Sequence, residues 1–235
     1  MLTVDFNAIP LKPGMRVLDA GCGSGRHLCE AFRRPGVEVA GVDLGRADLG
    51  PAKGFLSLMA REQEGRWIVA CADVTQLPFG SGSFDVVVCS EVLEHVSDNR
   101  AAVTELVRVL KPGGDLVVTV PRYLPERICW ALSAAYHHEP GGHIRIYRKE
   151  ELLTLLEEAG TRCWRIRYRH GLHAPYWWLR CLIGHKNETS PPVRAYRRFL
   201  EWDIIRRPAL TAMLDRILNP LIGKSIVFYL KKGYR

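Results

Sequence analysis

The sequence predicts an α/β fold, a doubly wound and largely parallel sheet with helices on both faces. Three observations carry that reading. Apolar runs near 15–20, 37–43, 67–72, 84–89 and 115–120 alternate with stretches of helical period. Those runs are nearly continuous in apolar and β-branched residues, as strands covered on both faces should be. The first run leads, in Val17-Leu-Asp-Ala-Gly-Cys-Gly-Ser-Gly-Arg-His27, directly into three alternating glycines and a helix. Glycines at 21, 23 and 25 let a ligand approach the backbone and permit turns closed to other residues, so this junction is built for a nucleotide.

The elements follow in order from period and punctuation. A strand near 15–20 precedes a helix from about 25 to 34, and a strand over 37–43 precedes a helix within 51–64. Strands near 67–72 and 84–89 come next. Apolar residues at 102, 103, 106, 107 and 110 give a helix from Asn99 to Leu110, stopped by Lys111-Pro-Gly-Gly114, and Asp115 to Val120 is the fifth strand. A helix over Glu150 to Ala159 ends at Gly160, and strands near 161–169 and 225–231 close the chain. Ligands of such sheets sit at the carboxyl ends of the strands.

The glycine spacing narrows the nucleotide. A dinucleotide fingerprint, G-x-G-x-x-G from Gly21, needs its third glycine where this chain has Arg26. The pattern here is D-x-G-x-G-x-G, from Asp19 to Gly25. About 20 residues on, Asp43 ends the second strand, where its carboxylate would accept from both ribose hydroxyls. Asp73, followed by Val74, ends the third run, and Ser90-Glu-Val-Leu-Glu-His-Val96 follows the fourth.

Together these four motifs, spanning residues 15 to about 121, resemble the class I S-adenosylmethionine (SAM)-dependent methyltransferases, notably methyltransferase type 11 and the ubiquinone-pathway O-methyltransferases. The resemblance implies a Rossmann-like sheet of seven strands, six parallel and the last antiparallel, with a helical insertion before the last. It implies SAM as cofactor, held by Asp19, Gly21, Cys22, Gly23, Gly25, Asp43, Leu44, Asp73, Val74, Ser90 and Glu91. In the family the acid at 73 and the next backbone N–H read the adenine.

Charge and aromatics divide the chain. Residues 1–121 carry 12 Lys and Arg against 15 Asp and Glu, and residues 122–235 carry 21 against 10, with fifteen of the 21 aromatics. One domain over 1–235 is expected, with 1–121 as the SAM-binding half and 122–148 and 171–223 as helical insertions on the substrate side. The second insertion reads as helices broken by Gly184 and Pro191-Pro192, with later interruptions at Pro208 and Pro220. Its basic faces carry Arg194, Arg197, Arg198, Arg206 and Arg207. Such a segment binds nucleic acid, lies on an anionic membrane, or is an ordinary helical lid. Trp177-Trp178 beside Leu179, Leu182 and Ile183 favours a lipid-facing segment over nucleic acid. Only about fourteen residues precede the first strand, so the insertions are expected to cover the cofactor. Seven cysteines without a C-x-x-C pair, no secretory signal pattern in Met1 to Pro10 and no long apolar run predict a cytoplasmic protein, with peripheral membrane contact allowed. The oligomeric state is left open.

Methyl transfer needs alignment above all, and a base only for a weak nucleophile. His95 is the candidate base, with a packed histidine at the start of the following helix as its structural alternative; His143, after the fifth strand, is the second candidate. Glu91-Val-Leu-Glu-His95 on a helical turn would put Glu91, Glu94 and His95 on one side. In ubiquinone-pathway and small-RNA 2′-O-methyltransferases such a run binds a divalent cation, with a histidine placed like His143. Many family members with V-L-E-H-V use no metal, so SAM alone is the cofactor expected. The acceptor expected is oxygen of a hydrophobic or lipid-linked small molecule. The alternatives are N- or C-methylation of a natural product, RNA methylation, or a SAM-binding partner protein that has lost catalysis.

Overall fold

The computed structural model describes residues 2–62, 64–206 and 208–234. Arg207, one of the expected basic residues, lies outside the described residues, as do Met1, Gln63 and Arg235. The seven strands are β1 (Arg16–Ala20), β2 (Glu38–Asp43), β3 (Trp67–Cys71), β4 (Phe84–Ser90), β5 (Leu110–Pro121), β6 (Thr161–Arg169) and β7 (Ser225–Lys232). They form one sheet in the order β3-β2-β1-β4-β5-β7-β6. Neighbours among the first five pair in parallel, and β7 runs antiparallel to both β5 and β6. This is the six-plus-one sheet expected.

Side chains alternate across the sheet and feed two cores. Leu18, Val87, Cys89, Leu116, Val118 and Phe228 pack on one face with helices α3 (Asn99–Val109) and α6 (Lys149–Glu158). Val17, Val86, Val88, Val117 and Tyr229 pack on the other with α1 (Arg26–Phe32) and α2 (Arg46–Met59). Burial on both faces is why these strands read as continuous apolar runs.

Two boundaries differ from expectation. Helix α2 begins at Arg46 rather than beyond Pro51, which sits inside it; a proline so near the amino end costs one ladder bond and marks the first turn only loosely. Lys111-Pro-Gly-Gly114 does not separate helix from strand. The chain passes directly from α3 into β5, and Leu110 pairs with Phe84 before a register shift, so the Pro-Gly-Gly run forms an irregularity within the strand.

The insertions are helical. After β5 come α4 (Tyr123–Leu132) and the short α5 (Ala134–His137); between β6 and β7 come α7 (His173–Ile183), α8 (Pro191–Arg206) and α9 (Ala209–Ile222). Pro220 lies in the last turn of α9 rather than interrupting it. Helices α7 and α8 share a small core of Leu172, Tyr176, Val193 and Leu200. Within the expected lipid-facing segment Tyr176 is buried, Trp177 is half-buried and Trp178 Nε1 donates to the Pro125 carbonyl at 3.1 Å, so its tryptophans turn toward the protein, while Leu182 and Ile183 are exposed.

Candidate active site

The chain leaves β1 and β4 on opposite sides of the sheet, and at their carboxyl ends the switch opens a crevice. A cavity of about 980 Å³ occupies it. Gly21 and Gly23 both adopt positive φ, 81° and 48°. A Cβ on Gly21 would stand 2.2 Å from Val92 Cγ2, whereas one on Gly23 would meet nothing within 4 Å. The first glycine lets the loop pack against the segment after β4, and the second leaves space for a ligand.

Asp43 braces that loop. Gly23 N–H donates to its Oδ2 at 2.7 Å and Gly45 N–H to its Oδ1 at 2.8 Å, so the carboxylate is fixed while each oxygen keeps a lone pair for a ribose hydroxyl. Asp73 lies two residues past β3, and its Oδ1 accepts from the Thr75 N–H and hydroxyl, both at 2.8 Å. Cys22, Leu44, Val74, Ser90 and Glu91 also line the cavity. Ser90 and Thr119 hydroxyls stand 2.9 Å apart, and Thr119 donates to Glu91 Oε1 at 2.8 Å.

Asp19 and Gly25 do not line it. Asp19 is buried at the end of β1, and burial pushes its carboxyl up to about 7. Gly25, at φ 84°, caps α1; a Cβ there would come within 3.0 Å of Ala52 Cβ, so this glycine sets the packing of α1 on α2. Cover over the cavity does not come from the insertions alone. Trp177 of α7 lines it, but so do Thr3 and His170. The Thr3 N–H donates to His27 Nε2 at 3.1 Å, and His170 Nε2 stands 3.2 Å from the Thr3 hydroxyl. Burial lowers His27 to about 4, which keeps that ring an acceptor near neutral pH.

A second cavity of about 440 Å³ shares His95 and Trp177 with the first, and His143, Tyr136, Arg180 and His185 also line it. Behind it sits Glu126 of α4, with no exposed surface. This carboxylate accepts from His143 Nδ1 at 2.7 Å, Tyr136 Oη at 2.9 Å and Lys224 Nζ at 3.1 Å. Burial alone would push it up, but the bond from His143 and the Lys224 charge hold it at about 2. Glu126 is thus an anion that fixes His143 Nδ1 as donor and leaves Nε2 as the acceptor nitrogen of the neutral ring, in a residue that lines the second cavity. His95 Nδ1 donates to the Gly142 carbonyl at 3.1 Å, and its ring centroid is 5.0 Å from that of His143. Burial, then His143, lowers its pKa. The two expected histidines meet, although residues 91–98 precede α3 rather than form its first turn. Sequence gave no sign of Glu126 or Lys224, one carboxylate in an amphipathic helix and one lysine before the last strand.

The E-x-x-E-H run is a turn, not a helix, and Glu91 sits at φ 57°. Glu91 is accordingly not part of the cluster expected on one side. Ligand atoms of Glu94, His95 and His143 do lie within 4.8 Å of one another. Glu94 is buried, neither of its carboxylate oxygens has a hydrogen-bond partner, and burial together with Glu91 pushes its pKa far up. Two imidazoles and an orphaned carboxylate fit a divalent cation, and the Glu126 bond to His143 is the outer support such a ligand usually has.

A sequence profile of the methyltransferase domain matches residues 3–166. The chain belongs to that family. Its seven-stranded sheet is the fold of the class I SAM-dependent methyltransferases. The ubiquinone biosynthesis O-methyltransferase of Hahella chejuensis is 38% identical over 125 residues, 52% of this chain and 50% of that protein; the chain spans about half the length of the curated relatives it matches. Among solved structures, geranyl diphosphate methyltransferase in complex with SAM superposes with TM-score 0.64 at 16% identity over 95% of this chain and 80% of its own. An S-adenosylmethionine-dependent methyltransferase from Mesorhizobium loti gives 0.60 at 18%, over 96% and 94%. At such identities the likeness concerns the fold. SAM is the cofactor of the family, and the open space over Gly23 with the braced Asp43 carboxylate fits its nucleoside.

Proposed function

We propose that this protein moves the methyl group of SAM to an oxygen of a hydrophobic or lipid-linked small molecule. The observation that carries the reading is the His143–Glu126 pair, beside a cavity that shares His95 and Trp177 with the cofactor cavity. Bound SAM supplies a methyl already activated on a sulfonium. The chain supplies the rest. Asp43, Asp73, Val74 and Leu44 line the cavity, where Asp43 would hold the ribose hydroxyls, Asp73 and Val74 would meet the adenine edge and Leu44, 65% exposed, would offer an apolar cover. His143 Nε2 takes the proton of the attacking hydroxyl while Glu126 offsets the charge that forms on the ring. Trp177 and Tyr136 give the acceptor an aromatic wall. Oxygen as acceptor atom is also what the name of the Hahella relative states for that protein. A cytoplasmic setting agrees with seven cysteines free of disulfides, and no helix among the described residues is long and apolar enough to cross a membrane.

Mass spectrometry of products from SAM and a panel of alkyl catechols, alkyl amines and RNA tests the reading. Gain of one methyl on catechol oxygen is expected, with turnover reduced at least about a hundredfold in His143→Gln and S-adenosylhomocysteine binding retained. Methylation confined to amines or RNA would overturn the acceptor, and binding without any transfer would favour a partner protein that has lost catalysis.

The unpartnered Glu94 carboxylate favours a second reading, in which Glu94, His95 and His143 would hold a divalent cation and Lewis-acid activation of the acceptor hydroxyl would be the chemistry it supplied. Activity that survives a chelator and Glu94→Ala removes it.

A further inference from the structure

Helix α9 is inside out. Its inner side is polar: Thr211 is buried, Asp215 Oδ1 accepts from the Leu172 N–H at 3.1 Å, and Asn219 Oδ1 accepts from the Gly171 N–H at 2.8 Å. These residues, at i, i+4 and i+8, tie the helix to the turn that opens α7. Its outer side carries Leu210, Met213, Leu214, Ile217 and Leu221, with Leu210 63% and Leu221 62% exposed. A surface helix in water does the reverse. An apolar face of this kind calls for a partner other than water.

Helix α8, two residues earlier in the chain, shows what partner. Its buried side is Val193 and Leu200, and at helical spacing the opposite side holds Arg194, Arg198, Phe199, Trp202, Ile205 and Arg206. Ile205 is 78% exposed. Arg197, on a flank, is neutralised by Glu188 and Glu201. The outward arginines at 194, 198 and 206 form no salt bridge among the described residues, and α9 adds Arg216.

We propose that the outer faces of α8 and α9 dock on an anionic membrane surface, the apolar side chains entering the acyl boundary and the arginines meeting lipid phosphates. Charge decides between a membrane and a second copy of this chain. A two-fold contact sets a patch against itself, which here would bring arginine onto arginine, offset among the described residues of α8 by Glu201, already paired, and the half-buried Asp203. A phosphate-bearing surface satisfies the same arginines, and Trp202 suits the headgroup level. This assigns lipid contact to α8 and α9 instead of to Trp177 and Trp178, which face the protein. It rests on the surface alone and stands or falls separately from the acceptor proposed above.

The test is co-sedimentation of the whole chain with vesicles of phosphatidylcholine, alone or mixed with phosphatidylglycerol. Three proteins are compared: wild type, Leu214→Ser with Ile217→Ser, and Arg198→Glu with Arg206→Glu. Binding only to the anionic vesicles is expected, weakened at least about tenfold by either pair and by raised salt. Calorimetry with S-adenosylhomocysteine, expected unchanged, shows that each variant is folded with an intact cofactor site. No binding to anionic vesicles, or binding indifferent to both pairs, overturns the proposal. So does light scattering that finds a dimer without lipid, dissociated by the serine pair, since the face would then belong to a second copy.

Discussion

Glu126 and Asp19 are both buried carboxylates, yet their surroundings drive them to opposite charge states. Glu126 has three donors, one of them the Lys224 ammonium, and is held at about 2; Asp19 is pushed to about 7 by burial. Replacing Glu126 by Gln removes the anion that steadies a protonated His143, so turnover should fall by about a hundredfold or more. Its pH profile should change shape, while Km for SAM moves little. A parallel loss of SAM affinity and turnover would mean that Glu126 merely holds the fold. For Asp19 the sign runs the other way. A carboxyl raised in the folded state stabilises below its unfolded pKa of about 4, and that contribution is lost as pH rises toward 7. Urea unfolding of the ligand-free protein should therefore show wild type losing about 4 kcal/mol across this window relative to Asp19→Asn. Parallel curves would contradict the shift. Sequence told that Asp19 opens the glycine motif and that Asp43 ends a strand at a nucleotide site. It could not tell that one faces the cavity and the other is buried, because that depends on the neighbours each strand packs against.

At the level of elements, strand positions were legible because burial on both faces leaves an apolar signature, and segments governed by local backbone geometry were not. The run from Glu91 to His95 has helical spacing but folds as a turn, with Glu91 at positive φ, so only Glu94 and His95 join His143. The glycine loop gives the element-scale prediction. Gly21→Ala places a methyl 2.2 Å from Val92 Cγ2 at a backbone angle that disfavours side chains. It should cost about 2 kcal/mol or more in thermal or urea unfolding and weaken cofactor binding. Gly21→Ala with Val92→Ala should recover part of that loss, since the clash is relieved and the strain is not. A Gly21→Ala protein as stable as wild type would show that the loop does not pack on the segment after β4.

The whole molecule divides as its charge does, an acidic half with the cofactor motifs and a basic, aromatic half that closes the site and carries an outward apolar face. The composition of the second half was plain in sequence, but its orientation was not. Tryptophans that read as lipid-facing turned inward onto α4 and the cavities, and an exposed apolar surface fell on α8 and α9, where the polar residues that anchor α9 are the ones facing the protein. Amphipathic period gives two faces and does not say which one is inside.

Everything proposed about methyl transfer depends on the cavity over Gly23 and Asp43 being the SAM site. Isothermal titration of the full chain with S-adenosylhomocysteine, wild type beside Asp43→Ala, tests this most directly. One site per chain, weakened at least about tenfold by Asp43→Ala in a protein that still unfolds cooperatively, is the predicted result. No binding by the wild type, or equal affinity in the two proteins, would contradict it.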